Sequence, residues 1–163
     1  MVTADIRSTN RLKKTGKKNR KIKKEAWDGM GLRGASDLAE FIRKNYSGLV
    51  VEVGAGYVPD VALRLRGLDV AVTDKEERFL GGLQVEKDDI FSPRFELYEG
   101  ACLIYSLRPP LEMQIAIGDL ARRIGADILI RPLGDEVAQL PGFVRRLANV
   151  GEARFYLFEL RSS

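Results

Sequence analysis

Residues 49–59, Leu49-Val50-Val51-Glu52-Val53-Gly54-Ala55-Gly56-Tyr57-Val58-Pro59, set the reading of the rest of the chain. Leu49, Val50, Val51 and Val53 form a nearly continuous apolar run, the pattern of a central parallel strand buried on both faces. Glu52 interrupts it, and a carboxylate in such a strand is costly unless donors reach it. The carboxyl end of a parallel strand is where ligands dock in open α/β sheets. Gly54 and Gly56 let the backbone turn tightly and approach a ligand with no Cβ in the way. Pro59 and Asp60 then suit the first turn of a helix. The stretch reads as strand, cofactor-binding turn and helix.

Outward from this unit, 163 residues with 45% hydrophobic content are enough for one α/β domain, expected over residues 30–163. The single cysteine, Cys102, excludes an internal disulfide and lies in an apolar run suited to a buried thiol. The absence of histidine excludes Ser-His and Cys-His catalysis and histidine metal sites. No apolar run reaches the length of a membrane span and no leader is evident, so a cytoplasmic protein without membrane partners is expected. Residues 1–28 carry ten Lys or Arg against three acids, +7, which leaves about −3 of the chain's +4 for the rest. Residues 1–29 are therefore expected to be a disordered basic tail. Two accounts of it stand: a phosphate-backbone contact, the one route to nucleic acid, or a mis-assigned start with Met30 as the true one.

Along the domain, a helix is expected over 36–46, capped by Ser36, with Leu38, Phe41 and Ile42 on one face and Gly48 as its stop. A short helix follows over 59–66, then a second strand over 68–73. Asp74 lies at that strand's carboxyl end, 20 residues after Gly54, where an acid can accept hydrogen bonds from ribose hydroxyls. The segment after it is too short for a full crossover helix, and a brief strand over 83–86 leads to Asp88, Asp89 and Ile90. Adjacent carboxylates on a strand point opposite ways and no third oxygen ligand is evident, so no metal is expected. A fourth strand runs through Ala101-Cys102-Leu103-Ile104-Tyr105-Ser106, and a helix over 110–124 shows Met113, Ile117, Leu120, Ala121 and Ile124 on one face. Residues 126–130 make a fifth strand ending at Arg131-Pro132. Residues 143–148 and 155–160 read as an antiparallel hairpin whose aromatic residues are buried on both sides.

The spacing of Glu52, Gly54, Ala55 and Gly56 resembles motif I of the Rossmann-like methyltransferases that use S-adenosylmethionine. The dinucleotide fingerprint G-x-G-x-x-G fits less well, because its third glycine falls on Pro59. From residue 35 to 161 the chain resembles a small uncharacterised archaeal family with a pared-down fold of this type. VVEVGAG, DDIFSPR, LIYSLRPP and the strand ending in RPLGDE are its most distinctive stretches.

The resemblance implies a minimal Rossmann-like, class I methyltransferase-type three-layer α/β sandwich. Its mostly parallel sheet would have the order 3-2-1-4-5, with an antiparallel C-terminal strand or hairpin. It also implies S-adenosylmethionine as cofactor, with Asp89, or its rival Asp88, reaching the adenine amino group and Ile90 covering the ring. Amino-group methyltransferases place an Asn or Asp before Pro-Pro after the fourth strand, and here Arg108 stands there. A guanidinium accepts no hydrogen bond. Ser106, Arg108 and Arg131 are instead candidates for an anionic substrate, the alternative being that the arginines pair with Glu52, Asp74, Asp88, Asp89, Asp135 or Glu136. The expected function is S-adenosylmethionine binding, with methyl transfer to an unknown substrate. The alternative is a non-catalytic module that binds another nucleotide or a partner protein.

Overall fold

The computed structural model describes residues 32–56 and 59–162, and the chain divides into units 1–32 and 33–163, of which the second is described here. The expectations for the basic tail and for Met30 lie outside the described residues.

In chain order the elements are α1 (Ala35–Asn45), β1 (Leu49–Val53), α2 (Asp60–Arg64), β2 (Val70–Asp74), β3 (Arg78–Leu80) and β4 (Leu83–Lys87). After a 3-10 turn at Phe95–Leu97 come β5 (Ala101–Leu107), α3 (Leu111–Ile124), β6 (Asp127–Arg131), β7 (Phe143–Val150) and β8 (Ala153–Leu160). β1 is central: four of its five residues are buried, and it pairs in parallel with β2 on one side and β5 on the other. β4 extends the sheet beyond β2 and β6 beyond β5, both in parallel. The expected 3-2-1-4-5 order is therefore present as β4-β2-β1-β5-β6, within a sheet of order β3-β4-β2-β1-β5-β6-β8-β7.

At the outer edge the absence of a full crossover helix agrees with expectation, and the strand β3 is the addition. Parallel strands need a crossover, usually a helix of a dozen or more residues. Here β3 carries the chain back antiparallel to β4, turning at Gly81 and Gly82, so β2 and β4 become parallel neighbours without a helix. At the other edge the expected hairpin is present, with β8 antiparallel to both β6 and β7.

The alternation along β1 sorts the layers. Val51 and Val53 join the main core with Ile117, Leu120 and Ala121 of α3. Ala62 of α2 packs with Val72 and Val85 on the opposite face. α1 lies against α2, β7 and β8, its Phe41 ring 4.9 Å from that of Phe155. The result is three layers with helices on both faces.

Helix α1 starts one residue earlier than expected and is not capped by Ser36. Gly34 occupies the cap position, and the Ser36 hydroxyl instead accepts from Arg64 Nε at 3.2 Å. The far end of α1 is fastened by Asp127, whose carboxylate accepts from Tyr46 Oη at 2.8 Å and from the Leu160 amide at 2.9 Å.

Candidate functional site

Four parallel strands end at the same edge, and a cleft of about 210 Å³ opens there. Val53 and Gly54 come from the end of β1, Thr73 and Asp74 from β2, Asp88, Ile90 and Phe91 from the segment after β4, and Ser106 to Pro110 from β5 and its loop. A shallower groove of about 650 Å³ adjoins it through the shared residues Lys75 and Asp88.

The glycine turn is held from below and from above. The Gly54 amide donates to the Thr73 carbonyl at 2.9 Å, and a Cβ added to Gly54 (φ 74°) would lie 2.6 Å from Met113 Cε. Gly56 (φ 61°) has no atom of the described residues outside its chain neighbours within 4 Å of the corresponding position. Ala55 faces the other way, packed with Ala62, Val72 and Val85.

Glu52 is also turned from the cleft. Strand alternation puts it opposite Tyr105 on the α2 face, 2% exposed, and it does not line the cavity. Burial raises its pKa from 4.5 to about 7. The Tyr105 hydroxyl opposes this in part, and Asp60 and Asp74 add to it. No well-aligned hydrogen bond forms between the two, so Glu52 Oε1 and Tyr105 Oη lack partners among the described residues. Burial and the nearby Glu52 also raise the Tyr105 pKa.

Asp74 lines the cleft, fixed by two donors. Its Oδ1 accepts from the Lys75 amide at 2.8 Å and its Oδ2 from Arg78 Nη1 at 2.6 Å. The same Nη1 reaches the Gly56 carbonyl at 2.7 Å, so Arg78 ties the ribose candidate to the glycine turn. A carboxylate has about four lone-pair sites, and two remain for a ligand.

Of the adjacent acids, Asp88 lines the cleft and Asp89 does not. Asp88 Oδ2 accepts from Tyr98 Oη at 2.5 Å, with Thr73 Oγ1 3.3 Å from the same hydroxyl, and Oδ1 accepts from the Arg94 amide at 2.9 Å. Asp89 is exposed on the adjoining groove, where its Oδ1 accepts from the Phe91 amide at 2.9 Å. That local turn carries buried Ile90 and half-exposed Phe91 into the cleft wall.

At the β5 end, Ser106 is buried and donates to the Val53 carbonyl at 2.7 Å, locking β5 to β1 beside the glycine turn. Arg108 is the one non-glycine among the described residues with positive φ, 66°, and its amide donates to the Arg131 carbonyl at 2.6 Å. The Arg131 guanidinium donates to the Arg33 carbonyl. Neither Arg108 nor Arg131 forms an ion pair with a carboxylate among the described residues, which corrects the pairing alternative. The Arg131 pKa is lowered by burial and then by the charges of Arg108 and Arg33. Arg108 lines the cleft, and Arg131, at the end of the neighbouring strand β6, is not among its lining residues.

Arg78, Tyr98, Phe91 and Met113 also shape the site, and the sequence pattern alone assigns none of them a role there. Arg78 carried a signal, a cation four residues after the acid it pairs with. The periodicity of α3 marks Met113 only as a core position of its helix. The Tyr98–Asp88 contact spans ten residues of irregular chain, for which no periodicity exists.

A mostly parallel sheet of this order, with a glycine turn after its central strand and a cleft at the carboxyl edge, defines a Rossmann-like fold of the class I methyltransferase type. The chain belongs to the family described as Uncharacterised protein family (UPF0146), whose profile matches residues 36–160. It is 44% identical to a UPF0146 protein of the archaeon Archaeoglobus fulgidus over 74% of this chain and 91% of that one. Among solved structures it is similar to a Staphylococcus aureus protein provisionally assigned as a caffeoyl-CoA O-methyltransferase. The TM-score is 0.56 and the identity 10%, over 96% of this chain and 99% of that one. A mutant of MtNAS gives a TM-score of 0.50 at 15% identity, over 76% of this chain, which spans 57% of MtNAS. These likenesses concern the fold. Among the described residues no helix is long and apolar enough to cross a membrane.

Proposed function

We propose that the cleft binds S-adenosylmethionine and that the protein is a methyltransferase whose acceptor sits at the carboxyl end of β5. The observation that carries this reading is the convergence of Gly54, Asp74, Asp88 and Ile90 from three strand ends on one cleft that also takes in Ser106 and Arg108. The residues fit such a group. Among the described residues nothing crowds the Gly56 backbone, Asp74 keeps acceptor capacity for ribose hydroxyls, and Ile90 and Phe91 offer apolar surface to a purine. Of the two adjacent acids, Asp88 is the one placed for the adenine amino group.

When bound, the cofactor supplies an electrophilic methyl on sulfur. Gly54, Asp74, Asp88 and Ile90 would hold it, and an acceptor placed beside Ser106 and Arg108 would face that methyl, with its own proton lost to solvent. The protein's part is alignment, and positioning alone can contribute several kcal/mol. Glu52 acts from beneath, as a buried acid supporting the turn rather than as a direct contact.

Isothermal titration with S-adenosylmethionine and S-adenosylhomocysteine tests this, with saturable binding of both expected. No heat and no thermal protection by either up to millimolar concentration would sink it. The non-catalytic reading has one observation in its favour. The cleft, at about 210 Å³, is smaller than the roughly 300–1,000 Å³ of ordinary ligand pockets. Mass spectrometry of any co-purified ligand separates the two, since a bound dinucleotide or an acceptor-free complex would favour the module.

A further inference from the structure

Arg108 combines three properties. It lines the cleft, it holds a backbone conformation that side chains bearing a Cβ rarely adopt, and it has no carboxylate partner among the described residues. Strained residues of this kind persist where surrounding structure over-determines them, and they cluster at ligand sites. Here the constraint is visible. The Arg108 amide is bonded to the Arg131 carbonyl, and Pro109 and Pro110 follow immediately. Arg131 likewise lacks a carboxylate, and its guanidinium is close enough to Arg108 and Arg33 for their charges to act on it. Of the other charged groups around the cleft, Arg78 is matched with Asp74, and Arg94 and Tyr98 with Asp88, while Lys75 lines the cleft without an ion pair among the described residues.

We propose that Arg108 and Arg131 bind a phosphate monoester group on a small-molecule substrate. Charge selects the group. Two unmatched guanidiniums carry +2, which a phosphate monoester at about −1.5 to −2 neutralises and a single carboxylate does not. The phosphate group would be anchored on the β5–β6 side, leaving the rest of the molecule to reach toward Gly54. That this molecule is a methyl acceptor rests on the function proposed above; the phosphate site does not.

Calorimetric titration of the full chain with glycerol 3-phosphate, acetate and an RNA oligonucleotide lacking terminal phosphates tests the site. Glycerol 3-phosphate is expected to bind at least tenfold more tightly than acetate or the oligonucleotide. Arg108→Gly is the informative variant, because glycine is at ease at φ 66° and keeps the amide bonded to Arg131. It should melt no lower than the parent while losing roughly tenfold or more in glycerol 3-phosphate affinity. Arg131→Gln should lose affinity to a similar degree. Unchanged affinity in Arg108→Gly, equal binding of acetate, or tighter binding of the oligonucleotide would each overturn the proposal. A parallel titration of the parent with S-adenosylmethionine keeps the two readings apart. Phosphate binding without cofactor binding removes the methyl acceptor and keeps the anion site, and the reverse removes the anion site alone.

Discussion

The guanidinium of Arg78 bonds the carboxylate of Asp74 at 2.6 Å, joining the first residue of β3 to the last residue of β2. The short β3 return is thereby fastened to the cleft edge, and through the Gly56 carbonyl to the glycine turn as well. Losing one partner of a fully buried pair costs about 3–5 kcal/mol, and these side chains remain 17% and 16% exposed. Arg78→Met is therefore expected to lower stability by about 2–4 kcal/mol in urea unfolding. It should also weaken S-adenosylmethionine binding, because Asp74 and Gly56 both lose their tether. An unchanged midpoint and unchanged cofactor affinity would show that the bond holds nothing.

Glu52 gives the protein a stability that depends on pH in an uncommon direction. Its pKa rises from 4.5 to about 7 on folding, chiefly by burial, so the folded state binds more protons between those values. Stability contributed by the protonated form is complete below pH 4.5 and is lost as pH rises through 7. Glu52→Gln should remove that dependence and raise stability at pH 8 by about 2–4 kcal/mol relative to the parent, with little gain near pH 4. Denaturant midpoints measured across the pH range would show parallel curves for the two proteins if Glu52 did not titrate in this window.

The two glycines of the turn should respond differently to alanine. At Gly54 the new Cβ meets Met113 Cε at 2.6 Å, in addition to the unfavourable φ of 74°, so Gly54→Ala should cost about 2–4 kcal/mol of stability. Gly56→Ala is expected to carry the backbone penalty, about 1–2 kcal/mol, because no other described residue lies within 4 Å. Its methyl would project into the open space beside the turn, and cofactor affinity should drop more than tenfold. Thermal melts paired with calorimetry distinguish the two, and equal losses of affinity and stability at both positions would contradict the geometry.

Tyr98 holds Asp88 at the cleft floor, and its hydroxyl is kept protonated, its pKa raised first by burial and then by Asp88. Removing one hydrogen bond to a charged group costs about 1.5–3 kcal/mol. Tyr98→Phe is expected to lose that amount in chemical denaturation, since the Arg94 amide is the remaining close donor to Asp88. A neutral effect would mean that the carboxylate turns toward water.

Much of the fold was legible because periodicity reports burial. The apolar run of β1, the 3.6-residue pattern of α3 and the alternation of β7 and β8 each record a surface that must be covered, whereas the strand order was implied by the family resemblance and not by periodicity. The edge strand β3 was not legible. Three residues, Arg78, Phe79 and Leu80, are too few for a period to appear, and their strand forms only by pairing with β4.

The same division runs through the cleft. Local sequence placed Gly54, Gly56 and Asp74 at strand ends, since a chain that turns tightly after a buried strand needs residues of those kinds at those offsets. What lies across from them was decided by strand register and by helix packing, which bring together residues dozens of positions apart. Register turned Glu52 under the sheet toward Tyr105, and the local turn put Asp88 rather than Asp89 into the cleft. Packing of α3 set Met113 over Gly54, and the pairing of β5 with β6 left Arg108 and Arg131 side by side without a carboxylate. Residue type and spacing determine which groups can reach a strand end, and only the three-dimensional neighbours determine whether their charges are already spent.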